Sequence, residues 1–189
     1  LGDVYKRQPE IDLKVEELLS QMTVEEKLGY IGGIDWMYTK SIDRLGIHRM
    51  RMSDGPQGIG TKGKSTAYPA TVTLAATWNE NLAYQYGKAL GRDCRARNIN
   101  VILGPAVNIY RAPMCGRNFE YMGEDPYLTS RICVGYIKGV QDQGVMATVK
   151  HFVANNSDYD RNNISNDIDE RTLNLSLIHI SEPTRRTPI

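Results

Sequence analysis

Apolar residues recur at Ile11, Leu13, Val15, Leu18 and Leu19, a helical spacing that predicts a helix over 9–22. Thr23-Val24-Glu25-Glu26 follows and fits a capping box. In that motif the Thr23 hydroxyl accepts from the Glu26 backbone N–H while the Glu26 carboxylate reaches back to Thr23. A second helix should then run to about Gly29, with a loop over 32–46 and a short strand-like run over 47–53. Residues 55–73, rich in Gly, Thr, Pro and Lys, read as loop. Asn79 is placed to cap a long helix reaching Arg97, with Leu82, Tyr86 and Leu90 on one face and Asn98 as its stop. Ile99–Leu103 is a continuous apolar run, the pattern of a strand covered on both faces. Asp125 suits an N-cap and Pro126 the first helical position, so a helix should continue to Gln143 and end at Gly144. Val145–Val149 is a third strand-like run, and 155–171 is polar and loop-like.

Strand-like runs alternating with helices predict an α/β fold with a parallel sheet, and in such sheets functional groups gather where strands end. Three polar clusters lie just past these runs. Asp54 opens Asp54-Gly55-Pro56 after the first. Arg117 lies in a loop of about twenty residues, 104–123, after the second, a length that favours function. Lys150-His151 closes the third. One acid, one guanidinium and an amine–imidazole pair at a common rim suit a ligand rich in hydroxyls.

Each residue also has a plainer reading. Asp54 can accept hydrogen bonds from two vicinal hydroxyls, or it can be a turn residue in Asp-Gly-Pro. Arg117 offers a rigid donor fork, or it can form an internal ion pair with Glu120 or Glu124. Lys150 and His151 are neighbours, so both reach one pocket only where the strand has ended or bulged; a histidine holding a loop is the alternative. Glu120, Glu124 and Asp125 are expected in structural roles, Asp125 as a cap and Glu124 near the positive helix end. Trp78, Tyr110, Phe119 and Tyr121 could serve as apolar platforms, although Trp78, just ahead of a helix, is expected to pack in the core.

Composition narrows the classes. The 189 residues are 41% hydrophobic and 24% charged, with Lys plus Arg 23 against Asp plus Glu 22. A net charge of +1 gives no basic excess for nucleic acid, and no apolar stretch approaches the ~18 residues of a membrane span. Cys94, Cys115 and Cys133 lack metal-type spacing and read as small buried hydrophobes; with only three histidines, His48 and His179 far from His151, no metal is expected. Residues 1–8 and 175–189 read as a non-native leader and tail flanking a domain at 9–174.

Taken in order, Met52-Ser53-Asp54-Gly55-Pro56-Gln57-Gly58, Ala75-Ala76-Thr77-Trp78-Asn79, Leu103-Gly104-Pro105, the run from Gly116 to Pro126, Lys150-His151-Phe152 and Asp169-Glu170-Arg171-Thr172-Leu173 resemble glycoside hydrolase family three, the β-glucosidase-like enzymes. The resemblance covers about Val15 to Asn174 and implies the N-terminal portion of a TIM-like (β/α)8 barrel, incomplete here. It implies a fragment of a retaining, exo-acting β-glycosidase of β-glucosidase/β-xylosidase type, acting on terminal β-linked sugars. Asp54, Arg117, Lys150 and His151 match family positions that bind hydroxyls of the non-reducing sugar. The run Lys150-His151-Phe152-Val153-Ala154-Asn155 differs from the hexosaminidase pattern Lys-His-Phe-Pro-Gly-His-Gly. The family's nucleophilic aspartate and general acid match nothing in these residues, so the chain alone is expected to be inactive. A non-catalytic carbohydrate-binding or scaffold protein on the same barrel is the alternative; an unrelated α/β enzyme using Lys150 or His151 as a base is a third. No cofactor is implied, the expected partner is a small glycoside or oligosaccharide, and sugar identity, compartment and oligomeric state stay open.

Overall fold

Asn79 and Asp125 each accept a backbone N–H three residues on, Leu82 at 3.0 Å and Leu128 at 2.8 Å, and so start two of the three long helices among the described residues. A computed structural model describes residues 2–60 and 63–174, and side chains from residue 9. The expected tail, 175–189, lies outside the described residues. The chain divides at Arg51 into two units, each taken by itself.

The first unit holds helix α1 (Gly2–Gln21) and helix α2 (Val24–Gly32). The backbone of α1 is helical on both sides of Pro9, so the helix begins ahead of the start expected at residue 9. Thr23 and Glu26 form the capping box, the Thr23 hydroxyl accepting at 3.2 Å and the Glu26 carboxylate at 2.9 Å. The same carboxylate accepts from Arg44 Nε at 2.7 Å. The run expected as a strand over 47–53 splits. Its first part pairs locally, Ile47 with Ile42 and Arg51 with Tyr38, and only its end enters the sheet.

The second unit contains strand β1 (Met52–Asp54), helix α3 (Thr71–Ala75), helix α4 (Glu80–Ala96), strand β2 (Val101–Leu103), helix α5 (Pro126–Gln141), strand β3 (Met146–Ala147) and helix α6 (Glu170–Leu173). The three strands form a parallel sheet in the order β1-β2-β3, with Asp54 opposite Leu103 and Ile102 opposite Ala147. β3 is shorter than its apolar run, yet backbone contact continues past it: Thr148 N–H donates to the carbonyls of Ile102 and Gly104, at 3.1 and 2.9 Å, Lys150 N–H donates to the Pro105 carbonyl, and Lys150 C=O accepts from Val107 N–H. Helix α3 was not anticipated in the Gly- and Thr-rich stretch.

Leu90, Cys94, Ile99, Ile102, Ile132, Tyr136, Val140 and Val145 make the core of this unit. The buried stripe of α4 is Ala83, Tyr86, Gly87, Leu90, Gly91 and Cys94; Leu82, expected on that face, is 44% exposed. Trp78, expected in the core, is 71% exposed and sits at φ +55°, at the turn leading into α4. All three cysteines are buried and unbridged. Among the described residues, no helix is long and apolar enough to cross a membrane.

Candidate functional site

Two buried phenols aim the first site segment. The hydroxyls of Tyr86 and Tyr136 both donate to the carbonyl of Pro56, at 3.2 and 3.1 Å, tying the loop after β1 to helices α4 and α5. Gly55 takes φ +132°, and a Cβ there would lie 1.4 Å from the Gly58 carbonyl oxygen, so only glycine closes this turn. Asp54 is the last residue of β1; its backbone carbonyl accepts from Gly60 N–H at 2.8 Å while its carboxylate, 59% exposed, stands free of the sheet.

The long loop after β2 delivers the second group. Asn118 Nδ2 donates to the Ala112 carbonyl at 3.0 Å, Tyr110 OH donates to the Asn118 carbonyl, and Thr71 OH donates to the Glu120 carbonyl. These bonds hold a short 3₁₀ turn, Asn118–Glu120, with Arg117 at its start. Arg117 Nε donates to Glu120 Oε1 at 2.6 Å, with Nη2 at 2.5 Å from the same oxygen. The internal ion pair with Glu120 is therefore formed, and Arg117 also lines the cavity described below.

The third group follows β3. Because the strand has already ended, Lys150 and His151 can serve one locality. Lys150 Nζ lies 3.2 Å from Asp54 Oδ1 and 3.7 Å from Glu120 Oε2. Nε2 of His151 lies 2.9 Å from Arg117 Nη2, and its Nδ1 lies 3.2 Å from Tyr121 OH. Asp54, Lys150, Glu120, Arg117 and His151 thus form one continuous polar chain drawn from three strand ends.

A cavity of about 420 Å³ opens beside it, lined among others by Asp54, Gln57, Arg117, Phe119, Glu120 and Lys150. That is a size that holds small organic ligands. Two cations face two carboxylates there, so charge at the cavity is balanced. Burial, reinforced by the charges of Arg117 and Lys150, pushes the His151 imidazole down to about 4, which leaves it neutral at pH 7. The wall therefore offers hydrogen-bond donors and acceptors of both kinds without a net charge, the chemistry of a polyol cradle.

Some residues considered from sequence stand elsewhere. Asp125 is the N-cap of α5. Exposed Trp78 is not among the cavity-lining residues, whereas Phe119, 55% exposed, stands on the rim. Tyr110 packs edge-on against Tyr121. His48 is in the first unit and His179 is outside the described residues. No group of three or more His, Cys, Asp or Glu able to hold a metal occurs among the described residues. Sequence reasoning missed Glu120 as the hub between both cations; its place three residues after Arg117 was the available signal. It also missed Gln57, whose amide donates to the Phe119 carbonyl at 2.8 Å, and the pair Asn108 and Asn155 behind His151.

The family model of the glycosyl hydrolase family 3 N-terminal domain matches residues 21–177. The thermostable beta-glucosidase B of Acetivibrio thermocellus is 44% identical over 171 residues, covering 84% of this chain and 23% of that protein. Beta-glucosidase BoGH3A of Bacteroides ovatus is 47% identical over 178 residues, covering 86% and 24%. Among solved structures, the family 3 beta-glucosidase of Bifidobacterium adolescentis superposes with a TM-score of 0.85 at 37% identity, over 89% of this chain and 25% of that one. Beta-glucosidase 3B of Thermotoga neapolitana in complex with glucose gives 0.79 at 36%, over 90% and 27%. The chain spans about a quarter of the length of the curated relatives it matches.

Proposed function

This chain belongs to the glycosyl hydrolase family 3 N-terminal domain family, and from that premise we propose that it is part of a retaining, exo-acting β-glycosidase of β-glucosidase/β-xylosidase type. In this reading the three parallel strands open a TIM-like barrel that is incomplete in the chain. Asp54, Arg117 and Lys150 grip the hydroxyls of a terminal β-linked sugar, and His151, whose two ring nitrogens face Arg117 and Tyr121, serves that grip through Arg117. The observation that carries the reading is the meeting of Asp54, Arg117 and Lys150 at one cavity of about 420 Å³.

Each group has a distinct task. Asp54 accepts hydrogen bonds from two adjacent hydroxyls, which fixes the rotational setting of the ring. Arg117 and Lys150 donate to hydroxyl oxygens and hold Asp54 and Glu120 as their counter-charges. His151 anchors the Arg117 fork. Phe119 offers an apolar face on the rim. Retaining chemistry requires two carboxyl groups about 5–5.5 Å apart, one attacking the anomeric carbon and one protonating the leaving oxygen. Both carboxylates at this cavity contact Lys150, through Asp54 Oδ1 and Glu120 Oε2, and Glu120 Oε1 contacts Arg117 as well, so each serves as a counter-charge. The reacting pair is therefore proposed to come from sequence other than these 189 residues, and the chain alone to be inactive.

Assays of the full-length parent with aryl β-glucosides and β-xylosides test the reading. Asp54→Asn and Arg117→Ala should each lower kcat/KM about ten- to a hundredfold, the value of a charged hydrogen bond lost in the transition state. Wild-type turnover that neither change alters would overturn it. The engagement of both cavity carboxylates also favours a second reading, a sugar-binding protein without turnover, which predicts glucose binding by the parent and no release of the aryl group.

A further inference from the structure

We propose that Tyr121 and Asn155 are positioning residues that hold His151 as the neutral Nδ1–H tautomer, so that its Nε2 lone pair serves as an acceptor for the Arg117 guanidinium. The argument starts from the inventory of Arg117. A guanidinium has five N–H donors and no acceptor. Its Nη2 lies 2.9 Å from His151 Nε2, so that nitrogen must accept. A neutral imidazole with an accepting Nε2 carries its proton on Nδ1, and the group facing Nδ1 is the Tyr121 hydroxyl oxygen at 3.2 Å. Asn155 Nδ2 reaches the same oxygen at 3.0 Å.

The relay is built to stay in place. Tyr121 is fully buried and stands edge-on to the imidazole, with ring centres 5.9 Å apart. Asn155 is clamped at both ends of its backbone by one side chain: its N–H donates to Asn108 Oδ1 at 3.1 Å and its C=O accepts from Asn108 Nδ2 at 2.8 Å. Asn108 itself is buried, in the segment that continues from β2. Of the charged groups that act on His151, Arg117, Lys150 and Arg161 oppose a positive ring, and Asp54 favours one. Glu120, the remaining carboxylate of the cluster, is paired with both Arg117 and Lys150. A second proton on the ring would set N–H against N–H at Arg117. His151 is therefore a fixed acceptor that, together with Glu120, orients the Arg117 fork, and its Nε2 is not available as a general base while Arg117 is in place.

The inference does not depend on the glycosidase reading, and its test uses no sugar. In the ¹⁵N-imidazole-labelled full-length parent at pH 7, His151, assigned by the signals missing from His151→Asn, should show a protonated Nδ1, an unprotonated Nε2 and an Hδ1 resonance protected from solvent exchange. Tyr121→Phe should lose the Hδ1 resonance to exchange, and Asn155→Ala should weaken it. Arg117→Met should let the two nitrogen shifts average. Tyr84→Phe, which removes a phenol hydroxyl that donates to Asp142 at 2.8 Å, should leave every His151 signal unchanged. A protonated Nε2 or a doubly protonated ring in the wild type overturns the tautomer. An Hδ1 resonance that keeps its protection in both Tyr121→Phe and Asn155→Ala overturns the positioning role, and should Tyr121→Phe fail to fold, Asn155→Ala decides it alone.

Discussion

At the scale of single residues, exposure decides what each carboxylate of the cluster contributes. The Glu120 side chain is 7% exposed and meets both Arg117 and Lys150, so Glu120→Gln strands two partly buried cations without their shared partner. Breaking a buried pair from one side should cost about 3 kcal/mol, read as a shift of the urea midpoint. The Asp54 carboxylate is mostly exposed and, among the described residues, its ion pair is with Lys150, so Asp54→Asn should cost under about 1 kcal/mol in the same measurement. His151 sets a pH dependence. The unfolded chain takes up its imidazole proton near pH 6.5 and the folded chain only near 4, so between those values unfolding binds protons and stability falls as pH drops. Above about 6.5 the group adds no slope. The slope between pH 4.5 and 6.5 should therefore be shallower in His151→Asn than in the wild type, as measured by urea midpoints across that range. Burial also raises the thiols of Cys94 and Cys133, to about 11 and about 12. Neither should be alkylated in the folded chain at pH 8, as mass spectrometry after iodoacetamide would show.

At the scale of elements, α4 and α5 meet through glycine. A Cβ on Gly87 would lie 2.1 Å from the Tyr136 carbonyl oxygen, and one on Gly139 would lie 2.1 Å from the Tyr84 carbonyl oxygen. Two backbones this close leave no room for a methyl group. Gly139→Ala gains about 1 kcal/mol of helix propensity, yet it forces the helices apart and should destabilise by roughly 2 kcal/mol net. Thermal unfolding of that variant checks the sign, because propensity alone predicts the opposite. Asn79→Ala and Asp125→Ala each remove one capping acceptor and should cost about 1 kcal/mol apiece. The caps could be read from the chain, since an Asn or Asp just ahead of a helical period acts within three residues of itself. The glycine crossing could not: Gly87, Gly91, Gly135 and Gly139 sit at helical spacing, but nothing local says that two such helices face each other.

At the scale of the whole molecule, β1 and β3 are the ends of a three-stranded parallel sheet. Strand ends of this kind offer unpaired backbone groups to other chains. The isolated 189-residue chain should therefore associate as its concentration rises in sedimentation velocity and unfold over a broad thermal range; a sharp transition from a stable monomer would refute this. The sequence by itself determined what acts locally. The capping box at Thr23, the N-caps at Asn79 and Asp125 and the alternation of apolar strands with helices depend on neighbours in the chain, and so do the positions of Asp54, Arg117 and Lys150-His151 just after the runs. It also carried motifs specific enough to mark the family. Tertiary structure alone decided the lengths of the strands, because each ladder bond needs a partner from a segment far away in the chain. It alone turned Trp78 outward. It alone made Glu120 the centre of the site, since a carboxylate becomes a hub only when cations from two distant segments arrive within about 4 Å of it, where Coulomb attraction is strong. Local signals fix where elements begin and what they can offer; which side chains meet is a property of packing, and packing is written in contacts between residues far apart in the chain.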